Sequence, residues 1–68
     1  MKRSAYYAPD PWAVQRPGGG AVFYVYAKER LQLVKLVDDR SWLKDMAKCP
    51  TAQKSVRTAI SRRLRDLG

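Results

Sequence analysis

Cys49 is the chain's single cysteine and histidine is absent, and together these two facts decide how it can hold itself together. One cysteine cannot close an internal disulfide, and zinc lacks a nitrogen and sulfur ligand set. A chain of 68 residues also buries a smaller share of its surface than a larger one. With both staples excluded, stability has to come from packing the apolar residues, 46% of the sequence, and from association with a second copy or a partner. The expectation is one small domain, homo-oligomeric because its core is thin.

The formal net charge of +8 directs that association towards something acidic: nucleic acid, an anionic membrane surface or an acidic protein face. Lys2 and Arg3 resemble the basic start of an export signal, but residues 4–11 are aromatic, acidic and proline-containing where an apolar run is needed. No segment has the length of a transmembrane helix. The expected location is cytoplasmic, where Cys49 stays reduced.

Residues 1–20 hold three of the four prolines and three of the four glycines, so an extended N-terminal arm is expected there, with Gly18, Gly19 and Gly20 as a hinge. The arm keeps Tyr6, Tyr7, Trp12 and Val14, which a freely solvated tail does not need, so it should lie against its own domain or a partner. Residues 21–68 are read as the folded domain, a β-hairpin plus two helices, giving an α+β class overall. The hairpin is drawn from AVFYVYA and RLQLVKLV, two strand-length runs with partial alternation. Their connection, Lys28-Glu29, lacks the glycine or asparagine of a tight turn. A helix starting near Ala27 is the competing reading, since Ala, Lys, Glu, Arg, Leu and Gln all favour helix.

Asp38 and Asp39 offer capping oxygens to a short helix, RSWLKDMAKC, whose apolar face is Trp42, Leu43, Met46 and Ala47, and which should stop before Pro50. Thr51 is placed to cap a second helix over residues 52–67, with Gly68 as its stop. Val56, Ile60, Leu64 and Leu67 recur there at helical spacing.

Charge is concentrated in that last segment. Residues 48–68 carry six cations against Asp66, a surplus of five, whereas residues 1–20 contribute +2 and residues 21–47 +1. On a helical wheel Lys54, Arg57, Arg62 and Arg65 lie opposite the apolar stripe, and Asp66, one turn after Arg62, is the single acidic residue of the segment that could offset them. A row of cations on one rigid element suits a polyanion, with counterion release making the binding salt-dependent. Arg63 falls at the edge of the stripe, where it must snorkel, pair with Asp38, Asp39 or Asp45, or face another subunit.

The order of parts in WLKDMAKCPTAQKSVRTAISRRLRDLG, a short helix, a turn over PTAQ and an amphipathic helix ending in Leu-Gly, resembles the second and third helices of a helix-turn-helix module, the winged-helix type in particular. In such modules the later helix enters the major groove and its early polar residues read base edges. The resemblance implies Gln53, Lys54, Arg57 and Thr58 at bases, with Ser55, Ser61, Arg62 and Arg65 nearer phosphates. The hairpin then stands in for the missing first helix as the packing partner.

The arm fits this reading in two ways. Lys2 and Arg3 suit a minor groove, and Tyr6, Tyr7 and Trp12 suit stacking on unpaired bases. The simpler expectation is that these aromatics fold back over the hairpin, in the same chain or swapped into a dimer. Catalysis has little support: there is no histidine base, Cys49 has only Lys48 beside it, and Ser41, Ser55 and Ser61 suit caps and helix surface. No cofactor or metal site is expected, because residues 18–20 lack the Lys-Ser/Thr of a phosphate loop and Asp38-Asp39 reads as a helix cap. A histidine-independent nuclease is the remaining enzymatic option. The leading expectation is a non-enzymatic nucleic-acid-binding regulator acting on DNA. The alternative is a protein-binding modulator or inhibitor, of the kind mobile elements encode, that docks its basic helix or aromatic arm on an acidic partner.

Overall fold

The computed structural model describes residues 10–68. Two short strands, β1 (Ala13–Gln15) and β2 (Ala21–Phe23), are followed by three helices, α1 (Ala27–Leu36), α2 (Arg40–Lys48) and α3 (Lys54–Leu67). A hairpin followed by helices agrees with the α+β expectation. Its position and the number of helices do not, because the hairpin forms earlier than expected and residues 27–36 are helical.

The strands pair antiparallel with Ala13 opposite Phe23, Val14 opposite Val22 and Gln15 opposite Ala21. Between them Arg16 N–H donates to Gly20 O at 3.1 Å and Gly19 N–H to Arg16 O at 3.1 Å. Gly18, Gly19 and Gly20 take φ values of 85°, 114° and 76°, a left-handed backbone that side-chain-bearing residues avoid. The three glycines are thus the turn of the hairpin and not a hinge, and part of the expected arm is a strand of the domain. AVFYVYA pairs backwards through a glycine turn in preference to forwards through Lys28-Glu29, for which no such backbone is available.

Once β2 is paired with β1, the run after it is free to be helical. In α1 the buried residues are Arg30, Leu33 and Val34, followed by Val37 just past its end, a spacing of i, i+3, i+4 and i+7. The apparent alternation of RLQLVKLV is therefore the inner stripe of a helix.

α2 follows the sequence closely. Asp39 Oδ1 accepts from Trp42 N–H at 2.9 Å, the helix ends at Cys49 before Pro50, and Trp42, Leu43 and Met46 are fully buried. Replacing Asp39 by alanine is expected to cost about 1 kcal/mol in urea unfolding, while Asp39→Asn, which keeps the acceptor, should cost a fraction of that. Equal losses from the two variants would show that the cap bond is not what Asp39 contributes.

α3 begins two residues later than expected, at Lys54, and its N-cap is Gln53 without a side-chain cap bond. Thr51, expected as the cap, has its carbonyl and hydroxyl oxygens turned to Arg30. Gly68, at φ 82°, closes the helix with its N–H on Arg65 O at 3.1 Å. Both α1 and α2 pack on α3. The core between them joins Trp12 and Val14 of the hairpin segment to Leu33 and Val37, Trp42 and Met46, and Val56 and Ile60.

Among the described residues no helix is long and apolar enough to cross a membrane.

Candidate nucleic-acid interface

α3 buries Val56 and Ile60 completely and half-buries Ala59, Leu64 and Leu67, so its opposite side is left to water. Lys54, Ser55, Arg57, Thr58, Ser61, Arg62 and Arg65 are all exposed on it. From Lys54 to Arg65 the row extends about 16 Å at the helical rise of ~1.5 Å per residue. The first turn of α3 has no acidic residue, so Lys54 adds to the positive end of the helix dipole instead of being offset by a carboxylate. Among the described residues Lys54, Arg57, Arg62 and Arg65 make no ion pair.

The individual side chains differ in freedom. Arg57 Nη2 donates to Cys49 O at 3.2 Å, which ties it to the end of α2 while leaving it at the surface. Thr58 Oγ1 donates to Lys54 O at 3.1 Å, one turn back, and keeps its lone pairs for an outside donor. The side chains of Lys54, Arg62 and Arg65 extend from the helix without a hydrogen bond to another described residue.

Gln53 departs from the expected role. Its Oε1 accepts from Arg30 Nη1 at 3.0 Å and its Nε2 donates to Val25 O at 3.3 Å, so both ends of the amide are engaged and it is not presented to a base edge. Trp12 departs further: at 1% exposure it is a core residue, with the Arg30 guanidinium carbon 4.7 Å from its ring centroid, and cannot stack on a base or anchor a partner. Lys2, Arg3, Tyr6 and Tyr7 lie outside the described residues. Arg63 resolves its three options by pairing within the chain. Its Nη2 meets Asp38 Oδ1 at 2.6 Å, and its Nε donates to Val37 O at 3.2 Å, closing the C-terminal end of α1. An ion pair this open to water contributes little stability, at most about 1 kcal/mol.

The residue that sequence reasoning missed is Arg30. It is only 6% exposed and organises the segments that carry α3, donating to Tyr24 O, Thr51 O and Gln53 Oε1 at 2.8, 2.9 and 3.0 Å. The available signal was its place in register with Leu33, Val34 and Val37 on a helix that a strand assignment conceals.

Among the described residues no group of three or more His, Cys, Asp or Glu side chains is placed to hold a metal ion. Compared with known protein families, with curated proteins and with solved structures, the chain matches none.

Proposed function

We propose that this chain is a small, non-enzymatic nucleic-acid-binding protein, a regulator of helix-turn-helix type, that lays the exposed side of α3 on a polyanion and acts on DNA in the cytoplasm. The observation that carries the reading is the row of Lys54, Arg57, Arg62 and Arg65 on one rigid helix, without a carboxylate partner among the described residues. The helical arrangement supports it: α1 and α2 pack behind α3, and residues 49–53 form a short turn between α2 and α3, so the helix is supported from behind and open in front. In this reading Lys54 and Thr58 approach base edges, Arg57, Arg62 and Arg65 contact phosphates, and Gln53 and Trp12 hold the scaffold. Self-association belongs to the proposal, since two copies would present two such helices to one duplex.

Fluorescence anisotropy of a labelled duplex and a labelled single strand, over a salt series, tests it. Binding to the duplex is expected with a log-log salt slope on the order of −3 to −4. Arg62→Ala and Arg65→Ala should each reduce that slope by about one. Absence of binding at low salt, or wild-type slopes in both variants, would sink the reading. Light scattering on the same samples reads the oligomeric state.

A further inference from the structure

Beside the outer row of α3 an open groove of about 590 Å³ runs between α1 and α3. The two helices run roughly parallel. Arg30 near the start of α1 reaches Thr51 and Gln53 just before α3, while Val37 and Asp38 past the end of α1 receive Arg63. The floor of the groove is apolar, with Leu31 and Val34 from α1 and Ala59 from α3. Each wall carries an exposed cation without an ion pair among the described residues, Lys35 on α1 and Arg62 on α3, while Arg63 is already paired with Asp38 and Asp66 lies at the far end of the α3 wall. On α3 the lining reaches from Ser55 to Asp66, three turns or about 16 Å of helix.

These features select the occupant. Three turns of continuous lining suit an elongated guest, and an apolar floor between parallel helices suits the apolar stripe of a third helix, whose anchors recur at i, i+3, i+4 and i+7. A sugar-phosphate backbone gains nothing from Leu31, Val34 and Ala59. A helix of a second copy is opposed by charge, because α1, α2 and α3 are each net positive. Cations on both walls call for carboxylates on both flanks of the guest.

We propose that the α1–α3 groove docks an acidic amphipathic helix of a partner protein, its apolar stripe on Leu31, Val34 and Ala59 and its flanking Asp and Glu side chains at Lys35 and Arg62. This goes beyond polyanion binding by the outer face: the two sites share Arg62, whereas Lys35 and the apolar floor belong to the groove alone.

The test starts from a displayed library of helical peptides about four turns long, selected on the full-length protein at physiological salt. The best peptide is then titrated into isotope-labelled protein. Enriched sequences are expected to pair an apolar i, i+4, i+7 stripe with acidic flanks, and their binding should move the amide resonances of Leu31, Val34 and Ala59 more than those of Val22 and Tyr26. Exposed Lys35, replaced by glutamate, should leave thermal unfolding as in wild type and weaken the peptide by about tenfold. Replacing the peptide's Glu by Gln should weaken it similarly. Failure to enrich, enrichment of basic or uncharged sequences, or shifts centred on the hairpin would overturn the proposal. So would groove shifts produced by oleate or duplex but by no selected peptide. The duplex titration described above is read separately with Lys35→Glu, so loss of the docking site and loss of polyanion binding are distinguishable.

Discussion

Arg30→Ala is expected to leave the domain at or past the edge of unfolding at room temperature. The guanidinium is buried and has no carboxylate partner among the described residues; it is held by Tyr24 O at 2.8 Å, Thr51 O at 2.9 Å, Gln53 Oε1 at 3.0 Å and the face of Trp12. Those acceptors sit on the exit from β2 and on the turn before α3, so one side chain fastens the hairpin, α1 and the start of α3. Removing it leaves partly buried oxygens without a donor, at about 1–3 kcal/mol for each one that water fails to reach. The net loss should be about 3–4 kcal/mol, comparable to everything a core of this size supplies, roughly 3–5 kcal/mol. Arg30→Lys keeps the charge but not the planar fork, and is expected to lose about 2 kcal/mol. Arg30→Met separates packing from hydrogen bonding: it fills much of the volume yet donates nothing, so its urea midpoint should follow alanine and not wild type. A methionine variant as stable as wild type would show that the bonds contribute nothing net, as happens when buried charged groups are exchanged for apolar ones of similar size.

The elements legible from the sequence are those decided locally. Asp39 before an apolar periodicity, Pro50 after it and the stripe of Val56, Ile60 and Leu64 each act within one or two turns, and α2 and α3 form accordingly. The hairpin's place is not legible because AVFYVYA has strand chemistry whichever neighbour it pairs with, and β-propensity is a statement about packing surroundings more than about the backbone. What decides its partner is the turn. Gly18, Gly19 and Gly20 supply three left-handed residues between β1 and β2, and nothing at Lys28-Glu29 does. RLQLVKLV reads either as alternation or as a helical stripe, and only the helical stripe brings Arg30 into line with Leu33, Val34 and Val37. The site divides along the same line. Lys54, Arg57, Arg62 and Arg65 stand where a wheel puts them, because facing outward needs only the period of their own helix. The roles of Gln53 and Trp12 are not legible because the group that claims both of them, the Arg30 guanidinium, arrives from a distant part of the chain.

Trp42→Ala is expected to cost about 3–5 kcal/mol, enough to unfold a domain of this size, and the phenylalanine variants of the two tryptophans separate what that loss contains. Both rings are buried, at 0% exposure for Trp42 and 1% for Trp12, so area alone predicts similar behaviour. Their indole nitrogens differ. Trp42 Nε1 donates to Pro11 O at 2.8 Å, fastening the start of the hairpin to α2. Trp12 Nε1 is buried without a hydrogen-bond partner among the described residues. Phenylalanine at Trp42 therefore removes packing volume and a satisfied donor, and strands a carbonyl, for a loss of about 2 kcal/mol. At Trp12 the same substitution removes a donor that was already unsatisfied. That relief offsets the lost volume and the weaker contact with Arg30, leaving a change of about 1 kcal/mol or less. Urea unfolding of the two phenylalanine variants should rank Trp42→Phe well below Trp12→Phe, and the reverse order would show that the Pro11 bond does not hold the hairpin in place. The comparison also bears on function. If α3 reads a polyanion only when α2 and the hairpin hold it in position, Trp42→Ala should lose duplex binding together with its folded circular dichroism. Under the proposed function Trp12→Phe, folded and with the α3 cations untouched, should bind as wild type does, because Trp12 is a core residue with no surface to offer a nucleic acid.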